Sequence, residues 1–435
     1  MNLNHDQLAR QLESALGTKA VTDEPGLLGS HAVDGRQPVL FCSPESPEQV
    51  AAALRICSEA EAAVTPWGGG TVMALGNLPR KVGVIIGLNR LNRVVEHDDA
   101  NLTATVEAGI SLAQLQQIVA RQKQFLPFDA PFPAQATVGG TVAANLNGPR
   151  RSFYGSVRDL VIGMKVALVS GQSIKAGGKV VKNVAGYDMC KLFTGSLGTL
   201  GIFTEVTLRM APVHEAAATW VASGALSKIV RLTDEFSGSQ LNPTATFILN
   251  SQVGAAGSAS KGDWQFAVRS EGFEETVARH LRDVQAMGAR HGLTSELLHD
   301  TAHNCYWDAI RDFPLQPGRL VYRMIVPRAS ITEVAKIISE WNTPNGQPAI
   351  MIDAAVGTLW IAPAAENRSV DQFLKLIELA RAHGGHAVMF AGPPELKQDV
   401  DVWGSPPQSF SLMREIKRQF DPKGILNPGR FVGGT

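Results

Sequence analysis

Three glycine-rich stretches carry the residues best suited to hold a large, flat ligand. They read TPWGGGT at 65–71, PAQATVGGTVAANLNG at 133–148 and GKVVKNVAGYDMCKLFTGSLGTLG at 178–201. Glycine lets a backbone approach another molecule closely and adopt positive φ. Successive backbone N–H groups after a strand suit a diphosphate. The three stretches therefore predict a ligand laid along the backbone, with 65–71 reaching a diphosphate.

Each stretch alone also has a simpler interpretation. Neither standard nucleotide fingerprint fits, because Met73 takes the last glycine position of G-x-G-x-x-G and no G-x-x-x-x-G-K-[ST] is present. The triplet at 68–70 is typical of a turn, and the small residues of 133–148 are typical of a close helix–sheet contact. Lys182 and Tyr187–Asp188 have two interpretations. They contact the ligand, or they simply form a surface ion pair and a buried phenol. Nicotinamide binding of the Rossmann type is excluded.

Composition narrows the class of protein. The 435 residues carry 40 Lys plus Arg and 40 Asp plus Glu, so no basic excess favours nucleic acid. The four cysteines are far apart and form no C-x-x-C pair, which argues against a disulfide scaffold, a zinc ribbon or an iron–sulfur cluster held by this chain alone. No signal peptide or membrane span is expected. The expected location is the cytoplasm, with peripheral attachment at the inner face of the membrane through partners left open.

Strands and capped helices must position the glycine stretches. Leu8, Leu12 and Leu16 repeat every four residues in a predicted helix at 5–17, and Ser46-Pro47 with Gln49 predicts the start of another that runs to about Ala62. Ser111 can cap a third helix, at 111–124. The other elements predicted before residue 212 are a β-hairpin within 161–176 and strands at 39–42, 64–66, 82–88, 103–107 and 202–210.

The pattern of predicted secondary structure changes at about residue 213. Strand-like pieces alternate with amphipathic helices, which predicts an α+β domain with an antiparallel sheet and helices on one face. The predicted division is a first domain at 1–212 with its core at about 35–212, a cap at 213–395, and a C-terminal segment at 396–435. The fold class is therefore α+β.

The order of the motifs resembles the vanillyl-alcohol-oxidase/PCMH family of flavoproteins. TPWGGGT is followed by ATVGGTVAANLNGPRRSFYGSVRD, KNVAGYDMCKLFTGSLGTLG and a terminal FDPKGILNPGR. The resemblance is dense over about 35–212 and returns at 420–431, and the GPRR and KNVAGYD motifs are similar to those of the FAD-binding E subunits of bacterial glycolate oxidases. It implies a PCMH-type FAD-binding domain of two α/β subdomains, an α+β cap, and a tail that returns to the FAD domain.

The resemblance also implies which residues bind FAD. The backbone of the first stretch would bind the diphosphate, and the second stretch would line the path of the flavin and the diphosphate. The third stretch would pack around the adenosine. The C-terminal tail would lie near the isoalloxazine or fix its own position on the FAD domain. The implied residues are Pro66, Trp67, Gly68, Gly69, Gly70, Thr71, Thr137, Gly139, Gly140, Ala144, Asn145, Gly148, Tyr154, Gly155, Asp159, Gly195, Ser196, Gly198, Thr199, Gly201, Ile202, Asn427 and Arg430. Trp67 replaces a basic residue of many relatives. No His or Cys stands where relatives attach flavin, so FAD is expected to be non-covalent.

Oxidation of a 2-hydroxy acid needs a cation for the carboxylate, a base for the hydroxyl and a flavin that accepts hydride. Trp307 and Arg311, at i and i+4 of a predicted cap helix, and Arg323 on a strand are candidates, although an aromatic–Arg stack on the helix surface is an equally good interpretation. His386 is a further candidate catalytic residue. In HGGHAVMF no carboxylate follows His383 and His386, so packing is favoured over metal ligation, and no metal is expected.

The resemblance predicts the FAD subunit of a glycolate oxidase complex, which oxidises a small 2-hydroxy acid. A flavin without a second redox centre in the same chain must pass its electrons either to O₂ or to a partner iron–sulfur subunit. The family favours the partner subunit, together with a second flavin subunit. Two alternatives remain. In the first, the chain is an electron-transfer or structural subunit that has no substrate chemistry of its own. In the second, it is a stand-alone dehydrogenase for D-lactate or another hydroxy acid.

Overall fold

The computed structural model describes residues 5–178, 187–253, 264–341, 346–364 and 368–435, which form two compact units. The first unit comprises Met1–Asn147, Gly155–Pro212 and Lys397–Thr435, and the second comprises Gly148–Tyr154 and Val213–Leu396. The short stretch Gly148–Tyr154 clusters with the second unit, although the sequence analysis keeps it in the first domain. The predicted boundaries at 212 and 395 stay a prediction about separate domains.

The first unit begins with a small sheet of four strands. Its strands are β1 (Val21–Thr22), β2 (Leu40–Cys42), β3 (Val64–Trp67) and β4 (Val84–Gly87), in the order β1-β2-β4-β3. The helices are α1 (His5–Leu16), α2 (Pro25–Ser30) and α3 (Pro47–Glu59). The predicted cap of α3 is confirmed, because Ser46 Oγ accepts a hydrogen bond from Gln49 N at 3.3 Å. The predicted apolar repeat Leu8, Leu12 and Leu16 is buried.

A second sheet of five antiparallel strands completes this unit, in the order β5-β6-β10-β8-β9. Its strands are β5 (Val94–Asp98), β6 (Thr103–Glu107), β8 (Val161–Ala167), β9 (Ser173–Gly177) and β10 (Ile202–Arg209), and β7 (Gln124–Phe125) pairs with β11 (Ala211–Pro212). The helices are α4 (Leu112–Ala120), α5 (Val138–Ala144), α7 (Val157–Leu160), α8 (Met189–Phe193) and α14 (Phe410–Phe420). The helix predicted to 124 ends early, since Lys123 is left-handed and Gln124 pairs with Pro212.

The second unit is built on eight antiparallel strands, in the order β15-β12-β14-β13-β17-β18-β16-β19. The strands are β12 (Ala216–Gly224), β13 (Ala245–Asn250), β14 (Trp264–Gly272), β15 (Thr294–Leu298), β16 (Val321–Ile325), β17 (Ala349–Asp353), β18 (Thr358–Ala362) and β19 (His386–Ala391). The helices are α6 (Arg151–Tyr154), α9 (Leu226–Ser237), α10 (Glu274–Arg290), α11 (Asp300–Asp312), α12 (Ile331–Ser339) and α13 (Val370–Ala382). The predicted α+β class with antiparallel sheets is confirmed.

Helices cover both faces of this sheet. A Cβ on Gly288 of α10 would lie 2.5 Å from the ring of Trp220, which puts α10 on the face that Trp220 presents. Thr219, the neighbour of Trp220, points the other way and accepts a hydrogen bond from Trp307 Nε1 of α11 at 2.7 Å. The prediction that all helices share one face is therefore wrong for α11, because alternate strand residues are apolar or hydrogen-bonding on both sides.

The segment after Lys397 returns to the small sheet of the first unit. Val64 N donates to Ile425 O and Asn427 N donates to Val64 O, each at 2.8 Å. Arg80 N donates to Pro428 O at 2.8 Å. Residues 425–428 therefore extend the edge of the sheet beside β3. In the parts of the chain that the structure describes, no helix has the length and apolar character needed to cross a bilayer.

Candidate functional site

The loops that follow β3, precede α5 and precede β10 enclose a cleft in the first unit. About 760 Å³ of the cleft and its mouth contains no protein atom. Most of the surrounding residues are small or apolar, as in pockets for large organic ligands. The described lining residues are Pro66, Trp67, Gly68, Gly69, Gly70, Thr71, Val72, Met73, Leu75, Leu88, Thr137, Gly139, Gly140, Ala143, Ala144, Leu197, Gly198, Gly201, Ile202, Phe203, Asn427 and Arg430.

Glycine is required where two of these loops press together. A Cβ on Gly68 would lie 2.3 Å from Thr137 Oγ1, and a Cβ on Gly69 would lie 1.7 Å from Gln135 O. Gly70 has a φ of 71°, which L side chains rarely adopt. The first two glycine stretches thus pack closely and form one continuous wall, and their role in ligand binding stays a prediction.

The start of α5 belongs to this wall. Thr137 Oγ1 caps the helix by accepting a hydrogen bond from Gly140 N at 3.1 Å. Gly139 is held against Ala108, whose Cβ would lie 2.7 Å from a Cβ at 139. Asn145, with a φ of 46°, ends the helix in the left-handed conformation. The small residues of α5 therefore face both a strand connection and the cleft.

The third glycine stretch is tied to α5 and to the C-terminal segment. Leu197 N donates to Ala143 O at 2.8 Å, and Asn427 Nδ2 donates to Leu197 O at 2.7 Å. Gly198 is packed against Pro66, so that a Cβ would lie 2.8 Å from the proline ring. Asn427 Oδ1 is buried without a hydrogen-bond partner in the described parts of the chain. Asn427 thus presents an unused acceptor in the wall of the cleft.

Arg430 anchors the C-terminal segment beside the cleft. Its Nη1 donates to Asp34 Oδ2 at 2.8 Å, and its Nη2 donates to the carbonyls of Met73, at 2.7 Å, and Leu75. Asp34 Oδ1 also accepts a hydrogen bond from Lys397 Nζ at 2.8 Å. Sequence reasoning missed Asp34 and Lys397, because each looks like an ordinary charged loop residue until the chain folds back.

The structure brings together fifteen of the predicted FAD residues and leaves eight outside the cleft. Gly195, Ser196 and Thr199 line a separate pocket of the same unit, in which about 580 Å³ contains no protein atom. Asp159 instead accepts hydrogen bonds from Ser156, and Gly155 packs beside it. Gly148 and Tyr154 belong to the second unit, and Asn145 ends α5. The predicted roles of all these residues in FAD binding stay predictions.

The KNVAGYD motif is only partly within the described residues. Lys182 and the residues up to 186 lie outside them. Tyr187 is exposed, so the buried phenol of the simpler interpretation is wrong. Asp188 caps α8 by accepting a hydrogen bond from Lys191 N at 3.2 Å.

Two of the predicted catalytic side chains lie on neighbouring strands of the second unit. Arg323 on β16 has its guanidinium carbon 5.3 Å from the centre of the Phe390 ring and 5.9 Å from that of Trp360. Its Nε is buried without a partner, and no carboxylate pairs with it in the described parts of the chain. Burial and the charge of Arg151 lower the pKa of Arg323 to about 10. His386 begins β19 and is exposed to solvent at one side, and desolvation by the neighbouring protein together with the charge of Arg323 lowers its pKa.

The other two predicted catalytic residues have partners within α11 and the sheet. Arg311 donates to Asp308 Oδ1 at 2.6 Å and to Asp312 Oδ1 at 2.8 Å. Trp307 is buried, and the guanidinium over its ring, at 5.3 Å, is that of Arg269. Trp307 and Arg311 therefore each have another partner: Arg269 lies over the Trp307 ring, and two aspartates of α11 pair with Arg311.

A buried charge cluster in the second unit was also missed from the sequence. Glu271 accepts hydrogen bonds from Arg150 Nη2 at 2.7 Å and from Arg269 Nε at 2.9 Å. Burial alone would raise the pKa of Glu271, but the two guanidinium groups lower it to about 2. His214 Nε2 lies 3.8 Å from the same carboxylate. The GPRR motif, which supplies Arg150, was the only sequence signal for this cluster.

The histidines of HGGHAVMF do not converge on a metal site. His383 Nδ1 lies 2.9 Å from Leu379 O, and its Nε2 lies 3.6 Å from Glu333 Oε2. Among the described residues, no group of three or more His, Cys, Asp or Glu side chains is arranged to hold a metal ion.

Comparisons with known proteins identify the class. A family described as FAD binding domain matches residues 38–177, and one described as FAD linked oxidases, C-terminal domain, matches 403–431. The chain superposes on 4-ethylphenol oxidase from Gulosibacter chungangensis with a TM-score of 0.75 at 17% identity, covering 98% of this chain and 96% of the other. Substrate-bound p-cresol methylhydroxylase gives a TM-score of 0.74 at 17% identity with the same coverage. These structures show a PCMH-type fold.

The relatives in sequence are FAD-linked enzymes of similar length. Glycolate oxidase subunit GlcD of Bacillus subtilis is 29% identical, covering 91% of this chain and 89% of the relative. Glycolate oxidase subunit GlcE of Escherichia coli is 29% identical over 78% and 84% of the two chains. D-lactate dehydrogenase of Archaeoglobus fulgidus is 28% identical over 94% of each. The chain is similar to these proteins over most of its length, its FAD binding domain match lies in the first unit, and it is an FAD-linked oxidoreductase.

The cleft fits this cofactor. Its glycine wall lets backbone N–H groups approach a diphosphate, and its apolar residues suit flat rings. Asn427 Oδ1 and Arg430 Nε are buried polar atoms that lack partners in the described parts of the chain. The two would hold complementary groups of FAD.

Proposed function

We propose that this chain is the FAD-binding subunit of a glycolate oxidase complex that oxidises a small 2-hydroxy acid, such as glycolate, to the 2-oxo acid. The proposal rests above all on Arg323, a half-buried guanidinium that no carboxylate neutralises in the described parts of the chain. An arginine in such a place is suited to a carboxylate ligand. The glycolate oxidase and D-lactate dehydrogenase relatives act on substrates of this class by name.

The side chains of the second unit have distinct roles in this proposal. Arg323 binds the substrate carboxylate, and the rings of Trp360 and Phe390 keep water from the guanidinium face. His386 is neutral near pH 7 because its pKa is lowered, so it can accept the proton of the substrate hydroxyl. FAD supplies the hydride acceptor when it is bound in the cleft.

Electrons then leave through partner subunits. Cys42, Cys57 and Cys190 are buried and Cys305 is exposed, and all four are free thiols. An iron–sulfur subunit and a second flavin subunit are therefore the proposed partners, consistent with the subunit names of the relatives. Peripheral attachment of such a complex at the inner face of the membrane is part of the same proposal.

Two alternatives have their own support. The carboxylate pairs of Arg311 favour a flavin-bearing subunit that lacks substrate chemistry, since that cation is already neutralised. The end-to-end match with D-lactate dehydrogenase of Archaeoglobus fulgidus favours a stand-alone dehydrogenase.

Anaerobic flavin bleaching tests the proposal. The purified FAD-loaded chain is mixed with glycolate or D-lactate, and loss of flavin absorbance is followed. We expect bleaching that falls by about 30-fold or more in rate at low substrate in Arg323→Met. Arg328→Met, which removes an exposed arginine of the same unit, is the matched control. Absence of bleaching with every 2-hydroxy acid, also after addition of the partner subunits, would refute substrate oxidation by this chain.

A further inference from the structure

Three buried charged side chains, Asp34, Lys397 and Arg430, form a cluster that we call the tail cluster. Asp34 Oδ1 accepts from Lys397 Nζ and Asp34 Oδ2 from Arg430 Nη1, each at 2.8 Å. Lys397 and Arg430 are each only 3% exposed. Two cations thus share one carboxylate.

The tail cluster carries a surplus positive charge. Asp34 is the only acid among the described residues that pairs with either cation, and burial lowers the pKa of both Lys397 and Arg430. A buried charge without a counter-charge costs free energy. Carbonyl oxygens of Ala74 and Met73 accept from the two cations at 2.6 and 2.7 Å, which satisfies hydrogen bonds but does not neutralise charge. The cluster therefore needs an anion nearby.

The tail cluster adjoins the FAD cleft. Arg430 lines the cleft, and it is the only charged residue among the described lining residues. Its Nε has no partner in the described parts of the chain. Met73 and Ala74, whose carbonyls the cluster holds, lie in the loop that continues from the glycine triplet, after Thr71 and Val72. FAD carries an anion of this kind in its diphosphate.

We propose that the tail cluster provides the counter-charge for the diphosphate of FAD, with Arg430 facing the diphosphate and with Asp34 and Lys397 positioning Arg430. The glycine loop alone offers only backbone N–H groups, and Trp67 beside it brings no charge. Binding of the cofactor then removes the cost of the buried surplus charge. This inference concerns cofactor recognition and does not depend on which substrate the protein oxidises.

Ligands that separate the diphosphate from the flavin ring test the proposal. Dissociation constants for FAD, ADP and riboflavin are measured on the cofactor-free protein by calorimetry and flavin fluorescence. Arg430→Gln removes the facing cation. Lys397→Met removes the surplus charge but leaves the Asp34–Arg430 pair, so it serves if Arg430→Gln does not fold. Lys423→Met, which removes an exposed lysine of the same C-terminal segment, is the matched control.

We expect both variants to bind FAD and ADP roughly tenfold more weakly and riboflavin as before, with the control unchanged. Arg430→Lys should recover part of the ADP affinity. Unchanged affinity for ADP in Lys397→Met would overturn the proposal. Equal weakening for riboflavin would also overturn it, because the cluster would then only maintain the shape of the cleft. A shift of the midpoint potential of bound flavin in Lys397→Met, absent in the control, would place the surplus charge at the ring and contradict the diphosphate assignment.

Discussion

Glu271 illustrates how one buried carboxylate organises several distant residues. It binds Arg150, the residue before the short helix α6, and Arg269 of its own strand, and at longer range it faces His214. Removing one partner of such a cluster leaves the other charges buried and unpaired. The sequence does not reveal this, because 121 residues separate Arg150 from Glu271.

Glu271→Gln is expected to destabilise the second unit by about 3 kcal/mol, since it leaves two buried guanidinium groups without their carboxylate. Urea unfolding followed by tryptophan fluorescence measures this change. Glu235→Gln removes a more exposed carboxylate of the same unit and should have a much smaller effect. Equal losses in the two variants would contradict the importance of the buried cluster.

His303 should make stability depend on pH. Burial lowers the pKa of His303 to about 4, from an ordinary value of 6.5. The unfolded chain therefore takes up the proton first as the pH falls, and stability declines from pH 6.5 down to pH 4. His303→Gln should flatten the decline of unfolding free energy between pH 7 and pH 4.5. Other histidines with lowered pKa values also make stability decline as the pH falls, so the test is the difference in unfolding free energy between variant and parent. Parallel curves of unfolding free energy against pH would contradict the prediction.

At the scale of elements, the local patterns predicted well what short-range chemistry determines. The cap of α3, strand β6 and the β8–β9 hairpin all form where their residues indicate them. Helix α5 was not predicted as a helix, because its composition of glycine, alanine and β-branched residues has poor helix propensity. It forms because Thr137 caps it and because its small residues fit against Ala108 and the loop at Leu197.

Gly69→Ala should abolish FAD retention. The added Cβ would lie 1.7 Å from Gln135 O, so one of the two loops that form the cleft wall must move. Flavin absorbance of the purified variant measures retention. Gly178→Ala, at a position where no atom of the described residues lies within 4 Å of an added Cβ, should retain FAD as the parent does. Full flavin content in Gly69→Ala would show that the close packing of these loops is not needed.

At the scale of the whole molecule, the sequence indicated the cofactor well and the cation network poorly. The glycine motifs predict the FAD cleft because glycine is required locally. Asp34, Lys397 and Glu271 could not be predicted, since their roles arise only when segments hundreds of residues apart meet. Catalytic residues are also hard to read from the sequence, because Arg311 and Arg323 look alike until their carboxylate partners are known.

FAD should stabilise chiefly the first unit, since every described lining residue of the cleft lies there. Free FAD at 100 times its dissociation constant should raise the free energy of unfolding of that unit by about 2.7 kcal/mol. Hydrogen exchange measures this separately for β3 and β10 and for β12 and β14. Equal gains in protection in β12 and β14 would contradict the prediction.

The wall of the cleft has a consequence for how the protein is made. Asn427 bonds to Leu197, 230 positions earlier, and Arg430 bonds to Asp34, 396 positions earlier. The chain emerges from the ribosome at roughly 5–20 residues per second. The glycine loops are therefore synthesised tens of seconds before the C-terminal residues that they contact. During synthesis these loops are open to chaperones and proteases, and a chain cut short before residue 427 has a cleft that lacks one side. The cleft is therefore complete only after translation has passed residue 430.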